Sequence, residues 1–162
     1  MTNKVYRAIE TAIRFKDTDA TYTLALKNLA AGAGRISDRV DRGAGSLPAI
    51  YRWKGVIQWE TAPAVGEYAL IYLSESDGTN EDGDVGTSDG ALTSGDATNL
   101  EVIGLVKAQT TDAAADNIAS GMFMIYERYF SIGVWNASAA DNLENTDDAS
   151  WVEVTPMPDE IQ

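Results

Sequence analysis

Residues 49–73 read AIYRWKGVIQWETAPAVGEYALIYL. In the first half Tyr51, Trp53, Ile57 and Trp59 share one parity, and Arg52, Lys54 and Gln58 share the other. A period of two marks a strand with one apolar and one polar face. Residues 68–73 are apolar on both parities, the pattern of a strand covered on both sides. Pro63 and Gly66 punctuate the segment between them. The stretch therefore predicts a hairpin at the centre of the core, carrying two of the four tryptophans.

Other strands follow on either side. Residues 21–29 alternate, with Tyr22, Leu24 and Leu26 opposite Thr21, Thr23 and Ala25, and predict a strand. Residues 35–41 predict a short polar edge strand. Residues 74–99 are rich in Gly, Asp and Glu and predict one long acidic loop, a length that is usually functional or mobile. Strands resume at 100–109, with a bulge expected at Gly104, then at 118–126, 129–135 and 151–155. Pro156 and Pro158 end the last one. Residues 1–20 fit either a helical face or short strands and predict an arm or edge element. The expected class is all-β: an antiparallel, jelly-roll-like sandwich of seven or eight strands spanning residues 21–162 as a single domain.

Composition excludes much chemistry. The 162 residues contain no Cys and no His. That removes disulfides, thiolate nucleophiles, Ser-His-Asp triads and the commonest metal ligands. No run reaches the roughly 18 apolar residues of a membrane span, and the N-terminus lacks a signal-peptide pattern, so a soluble protein made in the cytoplasm is expected. The net charge is −13 and is uneven. Residues 1–54 hold ten Lys/Arg against five acids, or +5; residues 55–162 hold two against twenty, or −18. An acidic body repels nucleic acid and anionic membranes, so neither is an expected partner.

The candidate sites are few. Asn80, Asp82 and Asp84 alternate like the opening of an EF-hand loop, but Val85 stands where Gly is required and Ala91 where Glu is required. Asp82 and Asp84 remain weak candidates for an irregular Ca²⁺ site, and no other cofactor or metal is expected. Glu60 and Glu127, at strand ends, are the one pair of carboxylates to weigh as a glycosidase dyad; acids there are usually only solvated, and no catalytic residue is assigned. Arg35, Arg39 and Arg42 form a basic set that either meets a carboxylate-rich partner or pairs internally with Asp38 and Asp41. With Val5, Tyr6, Arg7, Ile9, Ile13 and Arg14 of the arm, they make the expected partner interface.

The order of several short motifs carries a resemblance. These are Gly32-Ala33-Gly34-Arg35-Ile36-Ser37, Asp41-Arg42-Gly43-Ala44-Gly45, Tyr51-Arg52-Trp53 and Thr61-Ala62-Pro63-Ala64-Val65-Gly66. Tyr72-Leu73-Ser74, Ser76-Asp77-Gly78-Thr79, Gly86-Thr87-Ser88-Asp89, Val134-Trp135-Asn136 and Thr155-Pro156-Met157-Pro158-Asp159-Glu160 follow. Together, over roughly residues 21–160, the chain resembles small β-sandwich virion structural proteins of tailed bacteriophages. The resemblance implies a capsid decoration, or cement, protein on the outer surface of the virion. Its implied partner is the major capsid protein, and its implied state is a homo-oligomer, a trimer by preference. A tail or head–tail component acting as a carbohydrate-binding adhesin is the alternative.

Overall fold

A computed structural model describes residues 11–43 and 48–157. Ten strands form two antiparallel sheets packed as a jelly-roll-like sandwich. The four-stranded sheet runs β1 (Ile13–Phe15), β10 (Trp151–Pro156), β4 (Ile50–Ile57), β8 (Asn117–Met124). The other runs β6 (Gly90–Leu92), β2 (Gly34–Ile36), β9 (Tyr129–Asn136), β5 (Tyr68–Ser76), β7 (Glu101–Lys107), with β3 (Val40–Asp41) also on β9.

The expected central hairpin does not form. β4 pairs with β10 and β8, while β5 pairs with β7 and β9, so the two strands lie in different sheets. They meet face to face. Tyr51, Trp53 and Ile57 point inward from one sheet onto the core shared with Ala69, Ile71 and Leu73 of the other. Parity was the right guide to which side chains are buried, but it carries no information on which strand pairs with which.

Residues 21–29 are not a strand either. Five of their backbone N–H groups are met by carboxylates: Asp19 accepts from Thr21 and Tyr22, Asp38 from Thr23, Asp89 from Ala25 and Asp17 from Lys27, while Leu24, Leu26, Asn28 and Leu29 donate to backbone carbonyls. Side chains stand in for a neighbouring strand, because every buried amide needs an acceptor from somewhere. Leu24, Leu26 and Leu29 still insert into the core.

The expected acidic loop at 74–99 is built rather than irregular. It holds the end of β5, a 3₁₀ turn (Asp82–Asp84), β6 and a one-turn helix α1 (Ser94–Ala97), which Thr93 and Asp96 close with a capping box. Leu92 and Leu100 are buried with Ile36 and Tyr72 in a second small core, against which Leu70, Val85, Ala97 and Trp135 pack. This second core lies on the outer face of the larger sheet. It explains why β5 is apolar on both parities.

The expected bulge is real. Ile71 pairs with Gly104 and Tyr72 with Val102, which leaves Ile103 as the extra residue. The released Ile103 carbonyl accepts the Trp53 indole N–H at 3.2 Å. Trp53 is thereby clamped between the glycines of two edge strands, Gly104 of β7 and Gly121 of β8.

Buried Asn136 ties three loops together. Its Nδ2 donates to the Leu29 and Asp141 carbonyls, and its Oδ1 accepts from Ser138 N–H and the Trp59 indole. Asn136→Ala strands those groups without partners. It is expected to lower stability by about 2 kcal/mol, read as a shift in the urea midpoint.

The N-terminal edge is held by a charge. Asp148 accepts from Lys16 Nζ (2.8 Å), the Thr18 hydroxyl (2.5 Å) and Thr18 N–H (2.9 Å). Burial works to raise its pKa, but the hydrogen bonds from Lys16 and Thr18 outweigh this and hold it at about 2. A depressed carboxyl stabilises the fold above its unfolded pKa, near ~3.9, and that contribution is lost as pH falls through the folded value. Asp148→Asn is therefore expected to lower the Tm at pH 7, with the gap closing between about pH 5 and pH 2. Parallel thermal melts across that range check it.

Candidate binding face

The outer face of the four-stranded sheet follows from the register of its strands. Inward positions are Phe15, Val152, Val154, Tyr51, Trp53, Gly55 and Phe123. Outward positions alternate with them. One row across the sheet reads Arg14, Glu153, Lys54, Ser120; the next reads Thr155, Arg52, Met122. Trp151, Val56 and Ile118 form the row at one end, and Ile50 and Met124 the row at the other.

Two chemistries sit side by side on this face. Toward β1, Arg14 bonds Glu153 at 2.7 Å and lies 4.2 Å from the Trp151 ring, with Lys54 Nζ 5.4 Å from the same ring. Arg52, Lys54, Glu153 and Thr155 line a shallow groove of about 240 Å³. Among the described residues neither Arg52 nor Lys54 has an ion-pair partner. Toward β8 the face turns apolar, with Met122 70% exposed and Ile118, Met124 and Ile50 also open. A positive groove bordered by exposed methionines, on a chain of net charge −13, is a surface suited to an acidic partner with apolar patches.

The residues singled out from sequence fall elsewhere. Val5, Tyr6, Arg7 and Ile9 lie outside the described residues. Ile13 and Arg14 are on edge strand β1; Ile13 packs against the core and only Arg14 reaches the outer face. The three later arginines are engaged inside the fold. Arg35 pairs with Asp89. Arg39 bonds Glu81 at 2.6 Å and lies over the Tyr129 ring. Arg42 donates to the Pro48, Ile125 and Glu127 carbonyls and to the Tyr51 hydroxyl. Pairing is thus internal, but with more distant residues than Asp38 and Asp41. Asp38 serves the Thr23 and Asp89 amides, and Asp41 takes Arg128 at 2.7 Å, which with the Gly43 N–H holds it at about pKa 2.

The acidic candidates disperse as well. Asp82 accepts from Glu75 N–H, and Asp84 sits at a left-handed φ of 51° on the far side of Gly83. Among the described residues no group of three acids converges to hold a metal ion. Glu75, Asp77, Asp82, Tyr126 and Glu127 line a hollow of about 360 Å³, but three of its carboxylates are engaged by backbone: Glu75 by Tyr126 and Glu127 N–H, Asp77 by Thr79 and Asn80 N–H, and Asp82 by Glu75 N–H. Glu60 follows the end of β4, whereas Glu127 lies beside its start, where Ile125 N–H meets Ala49. About 25 Å of strand separates them, too far for a glycosidase pair. Of the aromatics a sugar would stack on, Trp53 and Trp59 are buried, Trp135 packs on the second core and Trp151 is covered by cations.

Arg52 and Lys54 were visible in sequence only as the polar parity of β4. Met122, Met124 and Tyr126 share a parity in the sequence. Phe123 and Ile125 on the other parity are equally apolar, so nothing local said which row faces water.

No protein-family model matches the chain, and no curated protein sequence does. Among solved structures it is similar to the Clostridium thermocellum N-terminal endo-1,4-β-D-xylanase 10B, CBM22-1–GH10 modules complexed with xylohexaose, at 11% identity and a TM-score of 0.41. The likeness covers 93% of this chain and 27% of that one. A likeness this slight carries no argument about function.

Proposed function

We propose that this chain is a non-catalytic docking module: a capsid decoration, or cement, protein that sits on the outer surface of a tailed-bacteriophage head and binds the major capsid protein. The observation that carries the reading is the outer face of the four-stranded sheet, where Arg52 and Lys54, without an ion-pair partner among the described residues, lie beside exposed Met122 and Ile118. The ordered motifs that resemble phage virion proteins supply the setting. A strongly acidic remainder keeps a coated particle soluble and gives the face a direction.

Binding of this kind needs fit and charge, not a reacting group. Many weak contacts on a repeating lattice add through high local concentration. The test is co-sedimentation of the purified chain with heads that lack it. Saturable binding that weakens as salt is raised is expected. Absence of binding to heads, together with glycan-dependent binding to host envelopes, would replace this reading with the tail-adhesin alternative.

A further inference from the structure

We infer that the outer face of the six-stranded sheet carries a site for a neutral pyranose sugar, the end residue of a glycan, in the hollow between Trp135, Tyr72 and helix α1. The inference goes beyond the docking reading and takes from it only a direction. With the four-stranded sheet on the shell, this hollow faces away from it.

Two elements build the hollow. On the sheet, Trp135 of β9 pairs with Leu70 of β5, which sets Tyr72 diagonal to it on the same face. Over the sheet, α1 and its C-cap present Ser94, Ala97 and Thr98 at the i, i+3, i+4 spacing of one helical face. The capping box of Thr93 and Asp96 fixes that turn, and Ala97 packs on the second core. The five side chains line about 180 Å³, which is room for a single six-membered ring and less than a drug-sized ligand fills.

The first ground is an unused hydroxyl. Tyr72 is only 8% exposed, yet among the described residues its oxygen has no hydrogen-bond partner. Buried phenols usually find one. The oxygen is not sealed in either: among the described residues Arg35 Nε is the one buried side-chain polar atom left without a partner. The Tyr72 hydroxyl therefore opens to the hollow it lines. Burial pushes its pKa up, so it stays a neutral donor.

The second ground is the rest of the lining. Trp135 packs on the second core but is only partly buried, and it borders the hollow. Gly34 seats the indole on the sheet, since a Cβ there would stand 2.6 Å from Cε3. The Ser94 hydroxyl has no partner among the described residues. Thr98 Oγ1 donates to the Gly95 carbonyl at 2.6 Å and keeps its lone pairs for accepting. An apolar wall of Trp135 and Ala97 thus meets three hydroxyls. A pyranose divides in the same way, with C–H groups across one face and hydroxyls around the rim. A plain aromatic ring would cover the wall but displace water from the Tyr72 hydroxyl without replacing its bond, which costs affinity.

The third ground is charge. None of the five lining residues is charged. Residues 55–162 carry a net −18, so phosphates, uronic acids and sialic acids are repelled. One ring in a shallow hollow binds weakly, and many copies on one lattice would make such contacts add.

NMR titration of the free chain tests the inference with no shell present. The chain has four tryptophans, and the Trp135 indole N–H signal is assigned by its loss in Trp135→Phe. The probes are the methyl glycosides of glucose, galactose, mannose and N-acetylglucosamine, with glucuronic acid and phenol as contrasts. A saturable shift of the Trp135 indole and of the Ser94 and Thr98 amides is expected with at least one neutral glycoside and with neither contrast. Tyr72→Phe removes only the unpartnered hydroxyl. It is expected to keep the thermal melt and weaken that binding about fivefold or more. Ser94→Phe, at an exposed position, is expected to fill the hollow and abolish it. No saturable shift with any glycoside would overturn the inference. So would tighter binding of phenol or glucuronic acid, a Tyr72→Phe chain of unchanged affinity, or one with a lowered melt. A free reducing sugar that binds where its methyl glycosides do not would overturn the assignment to a glycan end. Because heads are absent from every readout, failure here leaves the docking reading standing, and failure to bind heads leaves this site standing.

Discussion

Alanine at Gly104 is expected to destabilise the fold by about 3 kcal/mol or more, although it adds a single methyl to an edge strand. A Cβ there would stand 2.1 Å from Trp53 Cζ2 and within 3 Å of two further indole carbons. The ring has nowhere to go. Its Nε1 is held by the Ile103 carbonyl, and on another side a Cβ at Gly121 would already meet that nitrogen at 2.6 Å. Either the bulge opens or the indole leaves the core, and Trp53 is only 3% exposed. Trp53→Leu alone is itself expected to lose several kcal/mol, as large-to-small core changes do. In the double variant the clash is gone, so the two losses are expected to fall well short of their sum. Urea midpoints for the four chains read this directly. Additive losses, or a Gly104→Ala chain as stable as the parent, would show that the indole is not clamped as described.

Reversing both cations of the groove, with Arg52→Glu and Lys54→Glu, is expected to weaken binding to heads at least ~100-fold, while leaving the thermal melt nearly unchanged. Both side chains point outward and neither has an ion-pair partner among the described residues to lose. The matching change at Arg39 has the opposite signature. Arg39→Glu breaks its bond to Glu81 and its stacking on Tyr129, so it is expected to lower stability and leave the intrinsic affinity of the folded fraction alone. Titration against heads, paired with melts, separates a cation that docks from one that holds the chain together. Equal losses of binding for the two variants would move the docking surface away from the four-stranded sheet.

The sequence made the fold class legible and the pairing illegible, for one physical reason. Alternation reports which side chains leave water, and both Tyr51-Trp53-Ile57 and Leu24-Leu26 do leave it. Alternation does not report what satisfies the backbone. β4 and β5 looked like a hairpin because they are adjacent in sequence, yet each finds its partners in strands far along the chain. Residues 21–29 looked like a strand because their carboxylate acceptors, Asp17, Asp38 and Asp89, cannot be recognised before the chain is folded. The basic residues misled in the same way. Arg35, Arg39 and Arg42 cluster in sequence but bond inward, whereas Arg52 and Lys54, on the back of the strand from which the core was read, have no ion-pair partner among the described residues. One feature was legible in both respects: the double apolar parity of residues 68–73 announced a cover on the far side of β5, and the 82–100 segment supplies it.

The most direct measurement is an image reconstruction of heads saturated with this chain, at a resolution that distinguishes the two sheets. The expected result is density on the outer surface of the shell, with the four-stranded sheet turned toward the capsid protein, acidic side chains opposite Arg52 and Lys54, and the 74–99 segment pointing to solvent. Density that seats the chain through its six-stranded sheet, or a shell left bare at saturating concentration, would contradict it.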